Sequence, residues 1–573
     1  MGSNYAEGSV SRIYSKILIT ILAVGVVAVS VRMLLGGYVV DDAYHIVMSY
    51  RQAIGDRLFM EMWEPHQTSG FLSVVLIRLF IALFGTTEYL VIYLRVCGLI
   101  IHGLVAFLLY KTVVRIISKE QAALIAVLSY ALFPKLSALP EFSNMQYWFT
   151  TVSLCLLLRA HIANYEKLLH VILSATFLSL SIVAYPPGIV LAFAYLLFFI
   201  LQKEENSKRA MACFFLTCFI EGIAYILSIV LGKNLRTVVA NVRNVMMGDK
   251  SHLSGINVAG EPTKVDYANG FLTILVLSLA VIILSFAVSY IIKKVIKKDA
   301  LIEIAISFSV LITFTLTAYL CFVRQTGFDC IKLQYIVLPI EALIVLIRAE
   351  SRKTDKTIGF LVLAIAVGAL VIVGVSFVTN LKLVTNIPFM QIALLWSLVA
   401  ICYVLKSKAI VYSLVFAVLI SLGITGYTQK TSVIGKNIFQ YNGMVYDGPA
   451  KYIICDSVIK KFYETGNREI SGLATEEDSV FIFSDNLYAA ATELYMASPA
   501  KIGQYSTICT PTYGEAHTAY WEEFPDRFPT LVVVENGRRE AMEQTYAYKY
   551  LFEKHNYYLV MVGEHFTYYR LNK

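Results

Sequence analysis

Runs of about 20 apolar residues, separated by short basic clusters, recur along this chain from residue 17 to residue 427. Backbone buried in hydrocarbon must satisfy its own N–H and C=O groups, so a run of this length is a membrane helix or nothing stable. The runs are 17–35, 89–110, 122–139, 142–158, 168–184, 188–201, 211–231, 271–292, 301–323, 331–347, 358–378, 387–405 and 410–427, which predicts about thirteen crossings. Over 573 residues the chain is 58% hydrophobic and 15% charged, with a mean hydropathy of +0.66; these values exclude a soluble globular protein. The first run is too long for a cleaved leader and lacks a small-residue cleavage site, so it reads as a retained span.

The basic clusters set the orientation. Arg12 and Lys16 precede the first span, Lys111, Arg115 and Lys119 follow the second, and later clusters such as Lys293, Lys294, Lys297 and Lys298 fall on the same side. That side is predicted to be cytoplasmic. The formal net charge of +8 is therefore a topology signal and not a sign of nucleic-acid binding. Residues 71–84 are apolar but short, and Arg78 interrupts them, so they are predicted to lie at the interface without crossing. An odd number of spans then puts the loop 36–70 and the tail from residue 428 on the same, extracytoplasmic side.

The tail differs in chemistry. Residues 479–484 and 530–535 read as buried strands, 486–496 as the helix after the first, and 557–562 with 567–571 as a final pair around Gly563. The expected fold class is a polytopic α-helical membrane protein of about thirteen transmembrane helices with a C-terminal extracytoplasmic α/β domain, divided as 1–427 and 428–573. Most cysteines lie inside apolar runs with no metal-ligand spacing. Cys455 and Cys509, in the tail, are placed to pair or to remain thiols.

Beyond the first span stands Val39-Val40-Asp41-Asp42-Ala43-Tyr44-His45. Asp41 and Asp42 sit where a helix cap belongs, and Ala43, Ile46, Val47, Tyr50 and Ile54 follow helical spacing up to Gly55. The pattern predicts a short amphipathic helix on the bilayer surface with a carboxylate pair at its start, and His45 on the same face. Capping alone is the plain alternative. Arg78 and Arg95, inside apolar runs, are expected in an ion pair with Glu88 or on a lipid headgroup. Arg324, Asp329 and Lys332 flank an outer turn, either as a phosphate clamp or as interfacial anchors. Tyr185-Pro186-Pro187 reads as a rigid turn, and Glu341, deep in a span, as paired or lining a cavity.

Several of these stretches together resemble the GT-C superfamily of polytopic glycosyltransferases, in particular the bacterial branch related to protein O-mannosyltransferases and lipid A aminoarabinose transferases. The resemblance is carried by Asp41-Asp42-Ala43-Tyr44, Trp63-Glu64-Pro65-His66, Leu79 to Phe84-Gly85, Tyr93-Leu94-Arg95 and Gln334-Tyr335-Ile336-Val337-Leu338-Pro339. It implies transfer of a sugar from a polyprenyl-phosphate carrier to a glycan, lipid or protein acceptor on the outer face, with inversion. Either Asp41 or Asp42 would be the catalytic carboxylate. His45, Glu64, His66, Glu141, Asn144, Arg324, Lys332 and Tyr335 would bind substrate or phosphate, and Asp42 and Glu141 would hold a divalent cation (Mg or Mn) if one is used. The chain departs from the family at two places. Glu64 stands where related members have a Lys before the proline, and Glu141-Phe142-Ser143-Asn144 stands where many have a second acid in the turn after the third span. Two other functions compete: a transporter or flippase of lipid-linked sugars, which should show inverted repeats, and a non-catalytic envelope scaffold, for which the aspartates are dispensable.

Overall fold

Every one of the apolar runs carries a helix in the computed structural model, which describes residues 2–36, 40–60, 66–133, 138–202, 205–232, 235–248, 264–296, 301–322, 333–350, 355–378, 387–429, 436–437, 442–455, 457–483, 501–502 and 514–572. In chain order the helices are α1 (Gly2–Met33), α2 (Val40–Ile54), α3 (Phe71–Phe84), α4 (Leu90–Val113), α5 (Lys119–Ala131), α6 (Phe142–Ile162), α7 (Leu168–Ala184), α8 (Leu191–Leu201), α9 (Glu205–Val230), α10 (Leu235–Gly248), α11 (Lys264–Ile296), α12 (Leu301–Phe322), α13 (Gln334–Glu350), α14 (Lys356–Val378), α15 (Gln391–Leu405) and α16 (Lys408–Tyr427). Among the described residues, eight helical segments are long and apolar enough to cross a membrane, and three shorter apolar helices accompany them. One of the eight joins the 3-10 turn Gln67–Gly70 to α3. Ile77 and Phe80 of that helix share a core with tail strand residues Val480 and Val533, which sets it at the tail end of the bundle, where an interfacial helix was expected.

Helix α5 departs from expectation. A capping box between Ser118 and Gln121 starts it, and it ends at Ala131, well short of residue 139. Pro134, three residues on, cannot continue a helix and disfavours helical backbone before it. The carbonyls orphaned at this end are buried, and side chains from three other helices satisfy them. His102 donates through Nε2 to Ser129 O (3.0 Å), Thr425 donates to Ala131 O (3.0 Å) and Gln391 donates to Leu132 O (2.7 Å). Trp148 Nε1 donates to His102 Nδ1 at 2.7 Å, so this histidine is the neutral Nε2–H tautomer.

The chain then turns back toward α4 through Ala138–Glu141. A side chain at Gly98 would put its Cβ 1.6 Å from Ala138 O, so only glycine admits this approach. Gly368 plays the same part between α14 and α15, where a Cβ would meet Ala393 N at 2.1 Å.

The tail carries a five-stranded sheet of order β2-β1-β3-β5-β4, from β1 (Ser479–Phe483), β2 (Lys501–Ile502), β3 (Leu531–Glu535), β4 (Tyr557–Val562) and β5 (Phe566–Leu571). β1 runs parallel to β2 and β3, and β5 joins antiparallel to β3 and β4. The two long central strands and the final hairpin at Gly563 lie where the sequence predicts them. The helix expected over 486–496 and Cys509 lie outside the described residues, and Cys455 is buried. Alternation along the strands divides their side chains between two cores. Val480, Ile482, Leu531 and Val533 pack with Ile46 and Val47 of α2 and Leu90 and Leu94 of α4. Phe481, Phe483, Val532 and Val534 pack with Trp521 and Leu551 of the tail's own helices. Backbone contacts fix the same junction: Ile454 N donates to Leu35 O (2.6 Å) and Val91 N to Pro449 O (3.2 Å).

Candidate active site

Helix α2 begins at Val40, so both aspartates occupy its first turn and not the cap itself, a position the helix dipole favours for acids. Gly55, with φ +125°, ends it as expected. The helix does not lie half-exposed on a surface: Asp42, His45, Ile46, Val47, Met48 and Ser49 are all fully buried, because α3, α4 and the tail sheet close over it.

Asp42 Oδ2 stands 3.7 Å from Arg95 Nη2. Arg95 rises from the second turn of α4 and also donates to Leu34 O (3.1 Å) and Gly36 O, the last carbonyls after α1. One guanidinium thus ties together the end of α1, the start of α2 and α4. The expected partner, Glu88, instead pairs with Lys451 of the tail at 2.9 Å. Arg78 donates to Ala53 O (3.1 Å) and Gln52 O (3.4 Å), capping the end of α2.

One turn along α2, His45 lies between two serines. Nδ1 is 3.1 Å from Ser69 Oγ and Nε2 is 3.1 Å from Ser73 Oγ. Ser69 Oγ is 2.7 Å from His66 O, and Ser73 Oγ is 2.9 Å from Pro140 O. The two serines, each also in reach of a backbone carbonyl, hold the ring from both edges one turn from Asp42.

Ser73 links this helix to the 138–141 turn. Glu141 there is fully buried and caps α6, accepting from Ser143 N (3.1 Å), Asn144 N (2.8 Å) and the Ser143 hydroxyl. Asn144 Nδ2 returns to Leu139 O at 2.7 Å. His66 stacks on Phe142 with centroids 4.2 Å apart, and Phe142 stacks on Tyr185 at 5.1 Å. Asp42, His45, His66, Glu141 and Asn144 are therefore gathered around α2, the 66–70 turn and the 138–141 turn. Tyr335 lies in the membrane core with Tyr147. The side chain of Asp41, and Glu64, Arg324, Asp329 and Lys332, lie outside the described residues.

Sequence reasoning missed Ser69 and Ser73. Their four-residue spacing at the start of an apolar helix was the available signal. Glu141 spends both oxygens on the first turn of α6, Asp42 faces Arg95, and among the described residues no three of His, Cys, Asp and Glu converge.

These features define a class: a polytopic helical membrane protein with a small α/β domain docked on a buried acid–base cluster at one end of the bundle. No family model and no curated protein matches the chain. Among solved structures, it is similar to the oligosaccharyltransferase AglB from Archaeoglobus fulgidus, in complex with an inhibitory peptide and a dolichol-phosphate, with a TM-score of 0.48 and 10% identity over 96% of this chain and 73% of that one. It is also similar to ArnT from Cupriavidus metallidurans bound to undecaprenyl phosphate, with a TM-score of 0.44 and 10% identity over 96% and 97% of the two chains. Another structure of the Archaeoglobus fulgidus enzyme, at a TM-score of 0.47 and 10% identity, is a complex with Zn and sulfate. These are likenesses of overall fold, and the roles of individual side chains come from this chain alone.

Proposed function

We propose that this protein is a membrane glycosyltransferase that moves a sugar from a polyprenyl-phosphate carrier to an acceptor hydroxyl of an envelope glycan, lipid or protein. Residues 1–427 form its membrane domain, and 428–573 stand outside the cell with the loop 36–70. The observation that carries the reading is the buried Asp42–Arg95 pair at the tail-domain end of the bundle, next to the His45–Ser69–Ser73 cluster. Burying two charges costs several kcal/mol each, on the order of what a helix cap could never repay, so the pair has another use.

In the proposed reaction the acceptor oxygen attacks the anomeric carbon as the bond from that carbon to the carrier's phosphate oxygen breaks. A single displacement inverts the centre. Asp42, or Asp41 beside it, takes the acceptor proton, and the electron pair of the broken bond leaves on the carrier phosphate. Phosphate needs little help from a proton donor, so the site's main task is electrostatic. His45 and His66 supply positive charge or donors there, and Arg324 and Lys332 add to it. Arg95 balances Asp42 before the reaction and keeps it in place.

The test is sugar transfer in membranes carrying Asp42→Asn. It should lose at least about a hundredfold in rate, as removal of a general base does, with expression unchanged. Full transfer by both Asp41→Asn and Asp42→Asn would overturn the assignment of the aspartates.

A further inference from the structure

At the far end of the bundle a cavity of about 630 Å³ opens between the ends of α11, α12, α13, α14 and α15. α16 leads from this end to the tail, and its 20 residues span about 30 Å, one bilayer core. The cavity therefore lies at the opposite membrane surface from Asp42, at headgroup depth. Its lining combines the cations Lys293, Arg348 and Lys406 with apolar side chains, Ile302, Val345 and Leu405 among them.

The two carboxylates in the lining have local structural work. Asp355 caps α14, accepting from Thr357 N at 3.0 Å, and also accepts from the Tyr403 hydroxyl. Glu303 lies in the first turn of α12, where the helix dipole stabilises it. Capping does not explain Lys406. Its backbone N–H already closes α15 on Cys402 O at 3.3 Å, in a left-handed conformation with φ +49°, and the residue lines the cavity.

We propose that this cavity is a binding site for an anionic phospholipid. The lining cations take the phosphodiester headgroup, and the apolar side chains take the glycerol and the first acyl carbons. Basic pockets between helix ends on the positively charged side of a membrane suit such headgroups, at about 1 kcal/mol per cation. A soluble phosphate offers the same anion but nothing to cover the apolar side chains.

The experiment uses the full chain in neutral detergent. Binding of dioctanoyl phosphatidylglycerol is titrated against dioctanoyl phosphatidylcholine, with inorganic phosphate as competitor. The glycerol lipid should bind and the choline lipid should bind far more weakly, with phosphate displacing neither. Arg348→Gln and Lys406→Gln should each weaken phosphatidylglycerol binding about fivefold, the equivalent of one cation. Lys208→Gln, on a different basic loop, should leave it unchanged. Lys293→Gln is the third lining variant should Arg348→Gln unfold, judged by its melting temperature. Equal binding of the two lipids, or unchanged affinity in the lining variants that fold, would overturn the proposal. Displacement by inorganic phosphate at matched concentration would overturn the lipid and make soluble phosphate the ligand.

Discussion

Arg95 holds the site together from one position in α4. It neutralises Asp42 and also accounts for two carbonyls that α1 leaves open. Arg95→Leu removes the charge and keeps much of the side chain's bulk, leaving a buried carboxylate alone. The cost expected is about 3–5 kcal/mol, read as a lower unfolding midpoint. Arg95→Leu with Asp42→Asn should recover part of that stability without recovering transfer, which separates the pair's structural and chemical parts. The position of Asp42 was legible in the sequence, because an acid pair opening an apolar-periodic helix beyond the first span has few explanations. Its partner was not. Glu88 is the near neighbour of Arg95 in sequence, yet Arg95 turns toward Asp42, 53 positions earlier, because the chain leaving α1 folds back over α4. His45 follows Asp42 by one turn of α2, as the spacing predicts, while the serines that hold it belong to a turn whose path no periodicity reveals.

At the scale of elements, close approach matters more than hydropathy. Gly98 lies one turn along α4 from Arg95 and lets the 138–141 turn reach the site. Gly98→Ala should push that turn away, cost about 1–3 kcal/mol and impair transfer. Gly103→Ala on the same helix, where a Cβ meets only the Tyr130 ring at 3.4 Å, is the comparison expected to behave as wild type. Which segments are helical could be read from apolar length alone, and each predicted run has its helix. The early end of α5 could not. Pro134 announces a break, but the helix can end early in a buried place because His102, Thr425 and Gln391 meet the open carbonyls of Ser129, Ala131 and Leu132, and these residues come from segments spread over 300 positions. A buried Glu141 is legible as an N-cap once α6 is known to start at Phe142.

For the whole molecule, the junction of Leu35 with Ile454 joins the exit of α1 to the tail, so the two must occupy the same side of the membrane. In a background without native cysteines, Ile54→Cys and Glu540→Cys should both react with an impermeant maleimide on intact cells. Lys119→Cys should react only after the membrane is opened. Labelling of Ile54 and Glu540 from different sides would contradict the fold. The tail also has its own pH signature. Asp478 is buried, which by itself raises a carboxyl, but Thr475 (N–H 3.0 Å, hydroxyl 2.9 Å), Thr530 (2.9 Å) and Arg570 (2.8 Å) outweigh this and hold its pKa below the ordinary value. A depressed folded pKa contributes stability that is complete above the unfolded value of about 4 and disappears as pH falls through the folded one. Acid unfolding of the tail should therefore begin below about pH 4, and Asp478→Asn should lower the melting temperature at pH 7 while flattening that acid limb. The tail's parallel pair was visible as two continuous apolar runs, and its hairpin as a final pair of segments around Gly563. Its place against α2 and α4 was not, because strands buried on both faces read as apolar throughout and do not say what covers each face.

That division of the central strands has a practical result. Half of each strand's side chains share a core with α2 and α4 of the membrane-embedded part as well as with the tail's own Val445, Ile453 and Ile470. A fragment cut at residue 428 would strip the α2 and α4 side from Val480, Ile482, Leu531 and Val533, and it should clump unless a detergent or the missing half is supplied. Separating the two parts would open a core that both of them build.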